Sequence, residues 1–186
     1  TSNGKESFRM RALPNKAHLS GWPVVILINQ GSASASEIVS GCVQAHNAGI
    51  ILGQRSWGKG SVQTVHHISQ QPKANVKLTT QYYRLPSTDD GKTPGRLVHK
   101  LRGSTDWGVV PEIEVRMSPD QIVKSNELRR KANTIAANEE IDRPNINELI
   151  TQGLDPQLET ALLILRANAI SRIASDHRQV LLDEKN

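Results

Sequence analysis

The sequence predicts an α/β fold, and the main reason is the order of three short segments. Residues 23–29 (PVVILIN) form a continuous aliphatic run, which is typical of a central, fully buried strand. A helix is predicted next, because apolar side chains recur at helical spacing at Ala35, Ile38, Val39, Cys42 and Val43. A second aliphatic run occupies residues 50–53 (IILG). Strand, helix and strand in this order are the unit of a parallel α/β sheet.

Three more extended segments are predicted before residue 118. Residues 61–68 alternate enough to form a strand, and residues 75–84 are rich in Val, Thr and Tyr, which favour strands. Residues 109–115 predict a last strand at the edge of a sheet, because Pro111 has no amide proton for a ladder hydrogen bond.

The C-terminal third is predicted to be helical. Ser118 and Pro119 suit the N-cap and the first position of a helix that continues from residue 120 and is interrupted at residues 139–144. Asp155 begins a second helix, whose apolar face comprises Leu158, Ala161, Leu162, Leu165, Ala169 and Ile173. We therefore expect an α/β core at residues 1–118 and a helical extension at residues 119–186.

Composition limits the classes of function. The 186 residues carry a formal net charge of +5. The basic side chains are scattered without interleaved aromatic residues, so we expect a solvated face and no nucleic-acid partner. Cys42 is the only cysteine, which excludes an intrachain disulfide, and its neighbours indicate a buried apolar residue. The longest apolar run, residues 24–28, is too short to span a bilayer, and no signal peptide is recognisable.

Residues 31–37 (GSASASE) place Ser34 at the predicted turn between a strand and a helix. One interpretation is purely structural, because Ser34 and Glu37 have the spacing of a capping box, in which the serine satisfies free amide groups. The functional interpretation uses the same geometry. A serine at such a turn lies where backbone amides and the helix dipole can stabilise an oxyanion.

Lys59 lies between two glycines in residues 58–60 (GKG). Residues 53–59 match most of a phosphate-binding loop, but Gly60 stands where that loop needs Ser or Thr, and a strand rather than a helix is predicted next. We therefore reject the nucleotide interpretation. Flexible glycines can instead bring the amine inward, and a lysine shielded from water can accept the proton of a serine.

Gln63 would share one face of the predicted strand with Lys59, because side chains alternate along a strand. From this position Gln63 could hydrogen-bond the amine and orient it. The rival bases are the histidines: His18, His46, His66, His67, His99 and His177. No histidine has an acidic partner or metal-ligand spacing, so we expect no metal, although a Ser-His-Asp triad stays open because its members can be distant in sequence.

At these residues the chain resembles the C-terminal processing (tail-specific) protease family of serine peptidases. The resemblance runs from about residue 23 to residue 115. It includes residues 31–38 and 58–60, as well as Val62-Gln63-Thr64, Leu78-Thr79-Thr80, Tyr82-Tyr83 and residues 108–112 (GVVPE). The combination of SASASE and GKG is highly specific to that family.

The resemblance implies a crotonase-like peptidase core with a helical tail, and a Ser/Lys dyad without metal or organic cofactor. Ser34 corresponds to the family's nucleophile, Lys59 to its general base and Gln63 to the residue that orients the base. We expect the backbone amide of Ala35 to contribute to the oxyanion hole. The implied substrates are unfolded or C-terminally tailed polypeptides, and the implied compartment is extracytoplasmic.

Two features of the family are not found in this sequence: an upstream Arg-x-Asn-x-Gly-Gly element and a PDZ domain. Residues 1–118 are therefore expected to be the C-terminal part of a catalytic domain, and residues 119–153 have no match in the family. The alternative function is a non-catalytic module that binds peptides or a partner.

Overall fold

The computed structural model describes Leu13, Leu19 and residues 21–68, 74–86, 95–133 and 144–183. Its five strands are β1 (Val25–Ile28), β2 (Ile50–Gly53), β3 (Ser61–His67), β4 (Asn75–Tyr82) and β5 (Ile113–Glu114). Its four helices are α1 (Ala35–Ala45), α2 (Pro119–Asn133), α3 (Glu148–Thr151) and α4 (Pro156–Asp183). The described part of the chain thus has the mixed α/β architecture that the sequence predicts.

Three strands form a parallel sheet in the order β1-β2-β5, with Val25 opposite Ile50 and Leu52 opposite Ile113. The predicted strand–helix–strand unit is confirmed, but the central position of β1 is wrong. Within the described residues β2 is the middle strand, and Ile51 and Leu52 are fully buried, whereas three of the four β1 residues are half-buried. The uniform apolar run of β1 therefore did not distinguish a middle strand from an outer one.

Strands β3 and β4 form a separate antiparallel hairpin. The register shifts between Val62 and Gln63, which face Gln81 and Thr79, so Thr80 is an extra residue on β4. Most of the hairpin is exposed. It begins directly after Gly60 and ends directly before Tyr83, so its base adjoins the lysine-containing loop.

The buried face of α1 differs from the predicted one. Ile38 and Val39 are exposed, at 41% and 57%, and Cys42 is half-buried. The buried residues are Glu37 and, on the same side, Ser40 and Gly41. The physical reason is that Glu37 finds hydrogen-bond donors on this side, while Gly41 lets Leu85 pack where a β-carbon would stand 2.3 Å from Leu85 Cδ1.

The hydrophobic core joins the sheet to the loops that follow the hairpin. It consists of Ile28, Ile51, Leu85, Val98 and Val109, with Ile26, Val43 and Tyr83 packed against it. Because core residues come from both the sheet and the loops, the segments at 83–85 and 98–109 are held close to the start of α1.

Helix α4 docks on β1 and β2 of the same sheet, and α3 contacts α4. The predicted start of α2 is confirmed, since Ser118 Oγ accepts a hydrogen bond from the Gln121 amide at 3.2 Å. Arg129 of α2 pairs with the buried Asp155, which also caps α4 through the Leu158 amide at 2.9 Å. Of the predicted interruption at 139–144, only Pro144 lies within the described residues. Among the described helices, none combines the length and apolar character needed to cross a lipid bilayer.

Candidate active site

Ser34 occupies a strained backbone conformation at the turn between β1 and α1. It is the N-cap of α1, with φ 58° and ψ −116°. A backbone at positive φ costs a residue other than glycine about 1–3 kcal/mol of strain, and such residues cluster at functional sites. Half of the predicted capping box is formed, since the Glu37 carboxylate accepts from the Ser34 amide, whereas the Glu37 amide donates to the Ser34 carbonyl and the Ser34 hydroxyl makes no cap hydrogen bond. The structural interpretation of Ser34 and Glu37 therefore holds in part. Capping alone does not require the positive φ.

The Glu37 carboxylate connects this turn to the loop that contains Lys59. Glu37 is fully buried and accepts four hydrogen bonds. Oε2 accepts from the backbone amides of Ser34 at 2.9 Å and Lys59 at 2.8 Å. Oε1 accepts from the amide of Gly58 at 2.6 Å and from Ser56 Oγ at 2.5 Å. One carboxylate therefore fixes the backbone of both predicted catalytic residues.

Ser56 and Trp57 attach the other end of this loop, residues 56–60, which we call the lysine loop. Ser56 Oγ donates to Glu37 and accepts from the Val109 amide at 2.7 Å, so its hydroxyl is used in both directions. The Trp57 amide donates to the Ser32 carbonyl at 2.8 Å. The lysine loop is thus bonded to the serine turn before α1 and to the core segment at Val109.

Tyr83, which directly follows the hairpin, contacts both the serine turn and the lysine loop. Its hydroxyl lies 2.6 Å from the Lys59 carbonyl oxygen and 3.1 Å from the Ser34 carbonyl oxygen. Burial, followed by the negative charge of Glu37, raises the pKa of Tyr83 to about 12. Tyr83 therefore keeps its proton at neutral pH and can donate it to either carbonyl.

The sequence predicts that the Lys59 side chain is shielded from water, but the structure leaves it exposed. Within the described residues no hydrogen bond or ion pair engages its amine. The backbone of the loop, rather than the side chain, is turned toward Glu37. Lys59 instead lines an open pocket of about 380 Å³ beside the loop.

The other two predicted site residues are Gln63, on β3, and Ala35, at the start of α1. Gln63 is exposed on β3, and no hydrogen bond from its side chain to Lys59 is formed among the described residues. Ala35 is the first residue of α1, where an amide has no intrahelical acceptor. No acceptor for the Ala35 amide is found in the part of the chain that the structure describes.

Of the histidines, the structure brings His99 close to the lysine loop. The amide nitrogen of His99 would lie 2.7 Å from a β-carbon built on Gly60, and the side chain lines the same pocket as Lys59. His66 and His67 lie on the exposed hairpin. Within the described ranges, no three His, Cys, Asp or Glu side chains cluster closely enough to hold a metal ion.

The sequence motifs do not reveal the contribution of three residues to the site, Glu37, Ser56 and Tyr83. Glu37 was identified only as a helix-capping residue, while Ser56 and Tyr83 were given no role. The capping-box spacing was the single local signal for Glu37. Nothing local marks Ser56 or Tyr83, because their partners lie 19 to 53 residues away in sequence.

Comparison with known proteins places the chain among proteases. A carboxy-terminal-processing protease of Bartonella bacilliformis is 49% identical over 65 residues, which cover 35% of this chain and 14% of the relative. A tail-specific protease of Haemophilus influenzae is 30% identical over 167 residues, which cover 86% of this chain and 21% of the relative. A solved photosystem II D1 C-terminal processing protease shares 32% identity at a TM-score of 0.41, over 52% of this chain and 21% of that one.

The chain spans about a fifth or less of the length of these relatives. The profile of the family described as Peptidase family S41 matches residues 1–115, which is more than half of the chain. This match confirms the resemblance drawn from the SASASE and GKG motifs. The chain belongs to peptidase family S41.

Proposed function

We propose that this chain carries the nucleophile and the general base of a serine endopeptidase that cleaves unfolded or C-terminally tailed polypeptides. The observation that carries the proposal is the Glu37 carboxylate, which bonds the Ser34 and Lys59 amides through one oxygen. A surface capping box would have no need to hold a loop 22 residues away. The strained backbone of Ser34 supports the same interpretation.

In the proposed reaction, Ser34 Oγ attacks the scissile carbonyl carbon while the neutral amine of Lys59 takes the hydroxyl proton. The resulting ammonium then gives that proton to the leaving amine as the peptide bond breaks, which leaves an acyl group on Ser34. Water attacks the acyl group, again with Lys59 as base, and restores the free serine. The Ala35 amide, for which the described residues offer no acceptor, would donate to the oxyanion.

The exposure of Lys59 is accounted for by substrate binding. A bound polypeptide would cover the open pocket and exclude water, and an ammonium group is less favoured where water is excluded. Gln63 would orient the amine once it is covered. The exposed edges of the β3–β4 hairpin suit binding of the substrate as an added strand.

The exposed Lys59 also favours the second candidate, a peptide-binding module without catalysis. The test is cleavage of casein by the wild-type chain, Ser34→Ala and Lys59→Ala, with Ser36→Ala and Lys77→Ala as matched controls. We expect loss of about 10⁴-fold or more for Ser34→Ala and about 10²–10⁴-fold for Lys59→Ala, with both controls active. Cleavage that persists in Lys59→Ala would contradict the dyad. Peptide binding without cleavage in the wild type would favour the binding module.

A further inference from the structure

A pocket of about 380 Å³ adjoins the lysine loop. It is lined by Gln30, Ser56, Trp57, Gly58, Lys59, His99, Lys100 and Trp107. The close packing of Gly58 builds it: the Gly58 carbonyl accepts from the Lys100 amide at 2.9 Å, and a β-carbon on Gly58 would lie 3.0 Å from both Lys100 Cβ and Trp107 Cε3. The volume suits one or two amino-acid side chains.

The charge of this pocket is one-sided. Lys100 and Lys59 line it, and no carboxylate of the described residues does. The positive charge comes from Lys100, because Lys59 acts as a neutral amine in the proposed reaction. Two acidic groups of adjoining segments have other partners, since Asp106 pairs with Arg96 at 3.0 Å and Glu37 already accepts four hydrogen bonds. The Lys100 ammonium lies 4.0 Å from the centre of the Trp107 ring. Among the described residues no carboxylate forms an ion pair with Lys100, so a carboxylate that enters the pocket could pair with its ammonium group.

Two tryptophans, Trp57 and Trp107, give the pocket an apolar and aromatic part of its wall. Trp57 is 62% exposed beside the site, and Trp107 lies beneath two cations, because the Arg55 guanidinium carbon is 4.8 Å from its ring centre. An exposed indole next to a cavity offers contact area to the aliphatic part of a ligand. The two indoles and the Lys100 ammonium, which has no carboxylate partner among the described residues, match a short aliphatic chain that ends in a carboxylate.

We propose that this pocket is a substrate subsite that takes a glutamate or aspartate side chain close to the scissile bond. The proposal rests on the proposed function, because Lys59 lines the pocket and would act on the neighbouring bond. It assigns the carboxylate to a side chain, since an endopeptidase needs a chain that continues on both sides of the bond. Lys100 is then a specificity-determining residue, with Trp57 and Trp107 contacting the methylene groups.

The test uses Ser34→Ala protein, in which no turnover occurs, and short C-terminally amidated peptides that differ only by Glu or Gln at one position. Binding is followed by tryptophan fluorescence, since Trp57 and Trp107 line the pocket. At one position we expect the Glu peptide to bind about two- to fivefold more tightly than the Gln peptide. The preference should weaken between about 50 mM and about 500 mM salt.

The preference should disappear in Lys100→Gln, return at least in part in Lys100→Arg, and persist in the control Lys77→Gln. Equal binding of Glu and Gln peptides at every position, or a preference that survives Lys100→Gln, would overturn the proposal. A requirement for a free C-terminal carboxylate would overturn the assignment to a side chain.

Because binding is measured without turnover, a Glu preference in a chain that never cleaves casein would refute the peptidase and keep the subsite. Cleavage without a Glu preference would do the reverse.

Discussion

Replacing Ser34 by glycine should stabilise the protein relative to replacement by alanine. Both variants lose the hydroxyl, so they differ in backbone freedom alone. At φ 58° and ψ −116° an alanine is strained by about 1–3 kcal/mol, whereas glycine adopts this conformation freely. The greater entropy of an unfolded chain with glycine offsets about 0.5–1 kcal/mol of that difference. Taking a strain of about 2 kcal/mol, the middle of that range, we therefore expect Ser34→Gly to exceed Ser34→Ala by about 1 kcal/mol in free energy of unfolding.

The control is the same pair of substitutions at Ser36, two residues further along. Ser36 is an exposed residue inside α1, where alanine is a better helix former than glycine by about 1 kcal/mol. The order of the two variants should therefore be reversed there. Urea unfolding followed by tryptophan fluorescence measures all four variants. If Ser34→Gly is no more stable than Ser34→Ala, the turn is not strained and this support for a nucleophile is lost.

Two further predictions concern the residues that hold the site together. Glu37→Gln places an amide NH₂ against donors that the carboxylate now satisfies, so the free energy of unfolding should fall by about 2–4 kcal/mol in a urea titration. Casein cleavage should fall with it. An unchanged urea midpoint would refute the role of Glu37 as the central acceptor. For Tyr83, the pKa rises from an ordinary value near 10.0 to about 12 on folding, so its contribution to stability is complete below pH 10 and is lost as the pH rises from about 10 to about 12. The wild type should therefore lose more stability than Tyr83→Phe over that interval, and parallel curves would contradict the buried, protonated hydroxyl.

The sequence predicted most elements because their signals are local. The aliphatic runs of β1 and β2, the cap at Ser118 and the start of α4 each depend on a few adjacent residues. The pairing of β3 with β4 and the order of the sheet depend on contacts between distant segments. No local pattern specifies them, and the outer position of β1 was accordingly mistaken for a central one.

The orientation of α1 shows how buried hydrogen bonds can override hydrophobic patterning. Ile38 and Val39 predicted the buried face, yet the buried side chains are the polar Glu37 and Ser40. A buried carboxylate is tolerated only with donors to satisfy it, and those donors come from Ser56, Gly58 and Lys59. The motifs were sufficient to propose Ser34 and Lys59 as candidate site residues. The exposure of Lys59 and the role of Tyr83 required the three-dimensional arrangement.

The central claim is that Ser34 becomes acylated and that Lys59 is the base for this step. The most direct test is to incubate the chain with an activated peptide ester, stop the reaction with acid, and locate the added acyl mass by peptide mass spectrometry. The account predicts an acyl group on Ser34 in the wild type, none in Ser34→Ala, and formation slower by about 10²–10⁴-fold in Lys59→Ala. An acyl group on another residue, or acylation of Ser34 at an unchanged rate in Lys59→Ala, would contradict it.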